Sequence, residues 1–234
     1  LSNTDIGLVS GAYFFGYLLA TPILVGLTDR IDAKLIFLGG CAFGVFGCLG
    51  FAQLAHDFWS AASCWALVGA GLAGTYMPGL QILNARLDDA ARVRSVPWYT
   101  ACFGIGTGSS FGLMGVLLAY ADWRLAAYLG AGGAMLGAML VLLLVQPCPV
   151  VPLPGRKTKR HPLDLRPAFR KPVALGYIFA YGTHTYELFA FRTWSFALLV
   201  FLASRADGGM GIGAVTTIVS LITVTGMLAS LLGA

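Results

Sequence analysis

Long apolar runs separated by short polar intervals set the pattern of this chain. Seven segments stand out, at 6–27, 35–55, 58–85, 95–120, 124–145, 172–203 and 211–234. Each is near or above the roughly 20 residues a helix needs to cross a hydrocarbon core, so each predicts a spanning helix. Ser2, Asn3, Thr4 and Asp5 precede the first run and offer N-cap side chains. Polar residues inside the runs fall on defined faces. Ser10, Tyr13, Tyr17 and Thr21 share one side of 6–27. In 95–120, Gly104, Gly108, Gly112 and Gly115 line one side, which predicts a close backbone approach there. Tyr99, Gly106 and Ser110 lie opposite and are left to face a cavity. Gly7/Gly11, Gly40/Gly44 and Gly133/Gly137 repeat the small-x-x-x-small spacing of packed membrane helices, and Gln81 and Asn84 sit three apart near the inner end of 58–85. Serine, threonine and tyrosine in such helices also bond to their own backbone or to a neighbour, so each polar stripe has a purely structural reading as well.

One segment breaks the rule that charge stays outside the runs. Within 177–195 lie His184, Glu187 and Arg192, and at 100° per residue Tyr177, Tyr181, His184, Glu187, Arg192 and Ser195 fall within an arc of about 140°. Ionisable groups cost several kcal/mol each in lipid, so this face is expected to look into protein or a water-filled interior.

Composition makes the membrane reading firm. The chain is 58% hydrophobic and 11% charged, where soluble domains carry about 25% charged residues. Its 234 residues accommodate about seven spans and define an all-α integral membrane protein. The first run is too long for a signal peptide and has no basic flank before it. A start at Leu1 and an end at Ala234 inside an apolar run predict a piece of a longer protein, cut at both ends.

Charge gives the orientation. Alternate loops on one side hold Arg30, Lys34, Arg86, Arg92, Arg94, Arg156, Lys157, Lys159, Arg160, Arg166, Arg170 and Lys171, whereas the other side has Arg124 and Arg205. That asymmetry places the first set in the cytoplasm of a cell (inner) membrane. It also accounts for the net charge of +5, so no nucleic-acid partner is expected. The basic run at 156–160 reads as a solvated linker or as a contact for anionic lipid. The interval 146–171, rich in proline, cannot span, and it divides a bundle at 1–145 from the start of a second at 172–234. Cys41, Cys48, Cys64, Cys102 and Cys148 show no paired or metal-binding spacing; His56 and His161 have no cluster around them, and no metal or cofactor is expected.

The first inner loop, Val25-Gly-Leu-Thr-Asp-Arg-Ile-Asp-Ala-Lys34, resembles the loop after the second helix of major facilitator superfamily transporters, Gly-x-Leu-Ala-Asp-Arg-x-Gly-Arg-Arg/Lys. Leu27, Asp29, Arg30 and Lys34 match, while Val25, Asp32 and Ala33 depart from the pattern. Gly69 and Gly71 answer to the Gly-x-Gly of the family's fourth helix, with Trp65 where an arginine is usual. Gly226-Met-Leu-Ala-Ser is similar to Gly16-Tyr-Leu-Leu-Ala-Thr, as parallel six-helix halves imply. The Gly-Pro signature of drug/proton antiporters is absent from 104–115. Met77-Pro-Gly79, Arg94-Ser-Val-Pro-Trp-Tyr99 and the His184 to Trp194 run look most like nitrate/nitrite or cyanate permease-type members.

The resemblance implies an MFS-type bundle covering the second to eighth of twelve helices, with the first missing. It implies a monomer in membrane lipid that moves a small polar or anionic solute by alternating access. Asp29, Arg30 and Lys34 would form a cytoplasmic gate. Tyr13, Tyr17, Tyr99, Ser110 and Tyr181 would line the solute path. His184 and Glu187 would be a protonatable pair, being side-chain types that burial and nearby charge bring to titrate near neutral pH. Arg192 would meet an anionic solute, or else brace Glu187. Proton-coupled efflux of a hydrophobic compound is the alternative within the family. A seven-helix receptor, a membrane-embedded enzyme and a channel are the readings outside it. The lysines at 34, 157, 159 and 171 lie in or beside inner loops, away from any retinal position, and outside 184–192 no catalytic cluster is visible.

Overall fold

The computed structural model describes residues 2–120, 122–148, 169–205 and 211–232, and the proline-rich interval from 149 to 168 lies outside them. The described residues form seven helices: α1 (Asn3–Leu27), α2 (Ala33–Leu54), α3 (Phe58–Arg86), α4 (Asp89–Tyr120), α5 (Trp123–Leu144), α6 (Pro172–Arg205) and α7 (Ile212–Leu232). The first six are long and apolar enough to cross a membrane, and α7 has a shorter apolar stretch at Ile212–Met227. All seven expected segments are therefore helical. Their ends follow local chemistry. Ser2 caps α1 by accepting the Asp5 N–H at 3.2 Å, while the Asp5 carboxylate accepts the Ser2 N–H at 2.8 Å. Asp57 and Ser60 make the same reciprocal arrangement at the start of α3. α4 starts at Asp89, earlier than the apolar pattern at 95 predicts. Asp88 accepts the Ala91 N–H at 2.8 Å, and the charged first turn holds an Arg92–Asp89 pair at 3.1 Å, so the helix begins in the aqueous layer before its apolar stretch.

The helices group into two compact units. The first contains α1, α2, α3, α5 and the opening turn of α4. Its packing is set by glycine. A methyl group at Gly40 would lie 2.7 to 2.8 Å from backbone atoms of Gly71 and Gly74, and one at Gly71 would lie 2.8 Å from the Gly40 carbonyl and the Gly44 nitrogen. Gly69 packs in the same way on the Tyr13 carbonyl of α1, and Gly16 on that of Ala66. Such contacts bring backbones together where lipid removes the hydrophobic drive to associate. Between α1 and α3, Val9, Ala61 and Ala62 form a small buried cluster with Phe51, Phe58 and Trp65 against it. Trp65, at the position the family gives to arginine, packs at a tilt against Phe51 with ring centres 4.8 Å apart.

The second unit contains α4 from Arg94, α6 and α7. The predicted glycine seam is occupied by α7: Gly104 faces Met227, Gly108 faces Val224, Gly112 faces Ser220 and Gly115 faces Thr216. Val215 and Thr216 of α7 are fully buried. The expected spacing does not always mean contact, however. Gly7, Gly11, Gly133 and Gly137 have open space where a methyl group would go.

Candidate functional site

α6 is 34 residues long. At 1.5 Å per residue it extends about 50 Å, with His184, Glu187 and Arg192 about 18, 22 and 30 Å along it. The three ionisable groups thus lie within about 7 Å of its midpoint. They do not form a single network. His184 Nδ1 lies 3.8 Å from a Glu187 carboxylate oxygen, one helical turn apart, and both side chains are largely exposed. Within their own unit, neither α4 nor α7 covers the face they share with Tyr177 and Tyr181, which are 76% and 58% exposed. Arg192 reaches the other way, half-buried. Its guanidinium carbon lies 5.6 Å from the centre of the Phe103 ring on α4, and its Nη1 is buried with no hydrogen-bond partner among the described residues. The Glu187–Arg192 brace does not form: the carboxylate is paired with the imidazole instead.

Phe103 lies between Tyr99 and Ser110 on the side of α4 opposite the glycine seam. The structure thus brings Arg192 to the face that the sequence marks with those two residues. Phe111, two turns beyond Phe103, lies against Phe196 with ring centres 5.9 Å apart. Ser110 donates its hydroxyl to the Thr107 carbonyl at 2.7 Å, which leaves its oxygen able to accept. Tyr13 and Tyr17 belong to the first unit. The Tyr13 ring lies 6.2 Å from that of Trp65 at the α1–α3 contact. Ser10 and Thr21, which share their stripe, donate to the carbonyls of Ile6 and Tyr17 on their own helix, so the structural reading holds for those two hydroxyls.

The end of the first unit that carries Asp32, Lys34 and Arg86 is more densely hydrogen-bonded than its sequence announces. Asp32 caps α2 by accepting the Lys34 N–H at 3.0 Å and accepts the Cys148 N–H at 2.8 Å. The Arg86 guanidinium stands 3.5 Å from it and forks onto the Gln146 carbonyl through Nε at 3.1 Å and Nη2 at 2.7 Å. Burial alone would raise the Asp32 carboxyl, but the two backbone N–H groups and Arg86 outweigh it and hold it below the ordinary aspartate value. Lys34 is buried, and its ammonium donates to Leu142 at 3.1 Å and Val145 at 2.6 Å, the last carbonyls of α5. Of the three expected gate residues, Lys34 is thus engaged inside its own unit. Asp29 and Arg30 are exposed on the α1–α2 turn. Asp32 and Arg86 were not among the residues expected from sequence. Asp32 had a legible signal, since an aspartate just before an apolar run is an N-cap candidate, whereas the partner at Arg86, 54 positions away, had none.

The opposite end mirrors this arrangement. Arg124, the second residue of α5, donates Nε to the Ala52 carbonyl near the end of α2 at 3.1 Å, with its guanidinium 4.8 Å from the Trp123 ring centre. Lys34, the second residue of α2, closes α5. Each helix of this pair caps the other. None of the five cysteines forms a disulfide.

Comparison with known proteins extends what the geometry shows. The chain is 28% identical over 150 residues to the probable sphingolipid transporter spinster homolog 2 of Arabidopsis thaliana, covering 63% of this chain and 30% of that protein. It is 30% identical over 152 residues to protein spinster homolog 1 of Rattus norvegicus, covering 64% and 29%. Over 195 residues it is 26% identical to the MFS transporter asaE of Aspergillus flavus, covering 81% and 42%. The chain therefore spans less than half the length of these relatives. The likeness to nitrate, nitrite or cyanate permeases finds no support in them. A family model described as the Major Facilitator Superfamily matches residues 1–234, and the chain accordingly belongs to that family of multi-pass membrane transporters.

Proposed function

We propose that this chain is part of a secondary active transporter that moves a small polar or anionic solute by alternating access, with His184 and Glu187 as its proton-binding pair. The observation that carries the reading is the placement of this pair, 3.8 Å apart at mid-helix on an uncovered face of α6. Carriers of this architecture bind solute near the bilayer midplane. Ionisable residues at that depth are costly and mark transport paths. Arg192 supplies fixed positive charge beside them, because a guanidinium does not titrate in this range. In this reading 1–145 and 172–234 belong to successive bundles, Asp29 and Arg30 act at the cytoplasmic gate, and basic loops face the cytoplasm of a cell membrane. The protein works as a monomer with membrane lipid around it and carries out no covalent chemistry.

The test uses the full-length protein in proteoliposomes loaded with a pH-sensitive dye and presented with a panel of carboxylates and phosphate esters. Solute-dependent proton movement is expected with wild type and is expected to be lost with Glu187→Gln. Unchanged proton movement in that variant would remove the coupling role. A second reading has its own support: two of the relatives above are spinster proteins, one named as a probable sphingolipid transporter, and the α6 face also exposes Phe191 and Trp194. In this reading the cargo is an amphiphile, moved outward. Movement of a labelled single-chain lipid, but of none of the water-soluble compounds, would favour it.

A further inference from the structure

We infer that the solute of this carrier bears an oxyanion, a carboxylate or phosphate group, and that the Arg192 guanidinium receives it; the inference rests on the carrier reading above. Of the basic residues in the sequence, Arg192 alone lies in the interior of a span, and Glu187 is the only acidic residue at such a depth. The structure keeps the two apart. Glu187 is paired with His184, and no acidic side chain among the described residues forms an ion pair with Arg192. A buried carboxyl or amine can shed its charge by gaining or losing a proton; a guanidinium cannot. Its charge must therefore be met by something else, since an uncompensated charge in a span costs several kcal/mol.

What meets it is constrained by the surroundings. Phe103 offers a π-face to the guanidinium at 5.6 Å, a favourable but weak contact that supplies no lone pair for the N–H groups. Nη1 is buried, yet lacks an acceptor. An N–H fork held by a ring with one nitrogen unsatisfied is suited to bidentate recognition of carboxylate or phosphate, which accept two parallel bonds in that geometry. The position agrees: Arg192 and Phe103 lie about 30 and 21 Å from the inner starts of α6 and α4. Both are near the middle of their helices, the depth at which carriers hold solute. Tyr177, Tyr181 and Trp194 leave an uncovered aromatic surface on the same helix. An oxyanion there can come from a free solute or from the head of an amphiphile.

Binding is measured on the purified full-length protein in uncharged detergent, as the shift in unfolding temperature with acetate, inorganic phosphate, decanoate, decyl phosphate and uncharged decyl glucoside. The expected result is stabilisation of wild type by at least one anion and not by the glucoside. Free anions that suffice identify a soluble solute, whereas a requirement for the decyl chain identifies an amphiphile. Arg192→Gln is expected to weaken that binding at least tenfold, and Arg192→Lys, which keeps charge without the fork, to weaken it less. Arg205→Gln, a loss of the same charge at the far end of the same helix, is expected to leave it within about twofold. The proposal is overturned if no anion stabilises wild type, or if Arg192→Gln binds as wild type does. It is equally overturned if Arg192→Lys, folded and with wild-type unfolding temperature, retains nothing. Failure of the carrier reading looks different: anions would bind through Arg192 with no solute-dependent flux in vesicles.

Discussion

Asp32 shows how much one side chain can hold in place at the aqueous end of a bundle. Its carboxylate accepts from the backbone N–H groups of Lys34, two positions on, and of Cys148, 116 positions on, and faces Arg86. Because its folded-state proton affinity is lowered, its contribution to stability is fully present above the ordinary aspartate value, about 4. It is lost as pH falls through that value and below. Asp32→Asn is therefore expected to destabilise the purified full-length protein by about 1–2 kcal/mol at pH 7, the range seen for loss of a capping group. The difference should narrow below about pH 4. A deficit equally large at pH 3, measured by thermal unfolding, would mean that its charge is not what stabilises. At this scale the sequence was informative about His184, Glu187 and Arg192, because charge within an apolar run is conspicuous. Their spacing also bears on which of them pair: three residues make His184 and Glu187 neighbours on the helix surface, whereas five put Arg192 about 140° round from Glu187. Lys34 is the instructive case: a motif position to which the resemblance gives a gate role donates to carbonyls of its own unit, partners that its sequence does not show.

At the scale of helices, glycine distinguishes contact from spacing. The seam on α4 is read from its periodicity and filled by α7 as expected. Gly133 and Gly137 have the same spacing on α5 and touch nothing. Periodicity specifies a face but not the neighbour that covers it, which comes from elsewhere in the chain. The difference is measurable. Gly71→Ala places a methyl group 2.8 Å from backbone atoms of Gly40 and Gly44, which cannot rotate away. It is expected to cost about 1–3 kcal/mol, as overpacking does. Gly133→Ala meets open space and is expected to be neutral or mildly stabilising, through helix propensity. Equal unfolding temperatures for the two variants would show that α2 and α3 are not in such close contact. The helix boundaries were legible to within a few residues wherever an apolar run ended. α4 was the exception, since hydropathy marks where a helix enters lipid and not where its hydrogen bonding begins.

For the whole molecule, the all-helical class, six of the seven expected spans and the superfamily were legible before any coordinates, because lipid permits few solutions and each leaves a long apolar imprint. Which solute is carried was not, since that depends on a few side chains drawn from several helices. The relatives are more than twice as long as the stretch they share with this chain. The 234 residues alone are therefore expected not to transport. Saturable uptake by this fragment in vesicles would overturn that expectation. The mutual capping of α2 and α5 has a consequence for biosynthesis. Its bonds join residues 72, 108 and 111 positions apart, and helices leave the ribosome in order. When α2 enters the bilayer, the carbonyls that will receive Lys34 have not yet been translated. The Lys34 ammonium must wait in the hydrated head-group layer until the end of α5 arrives, and the other end of α2 waits a shorter stretch, until Arg124 at the start of α5 closes it. Insertion and packing of this pair are thus separated in time, and the nascent protein holds an unfinished helix pair for the length of three further spans.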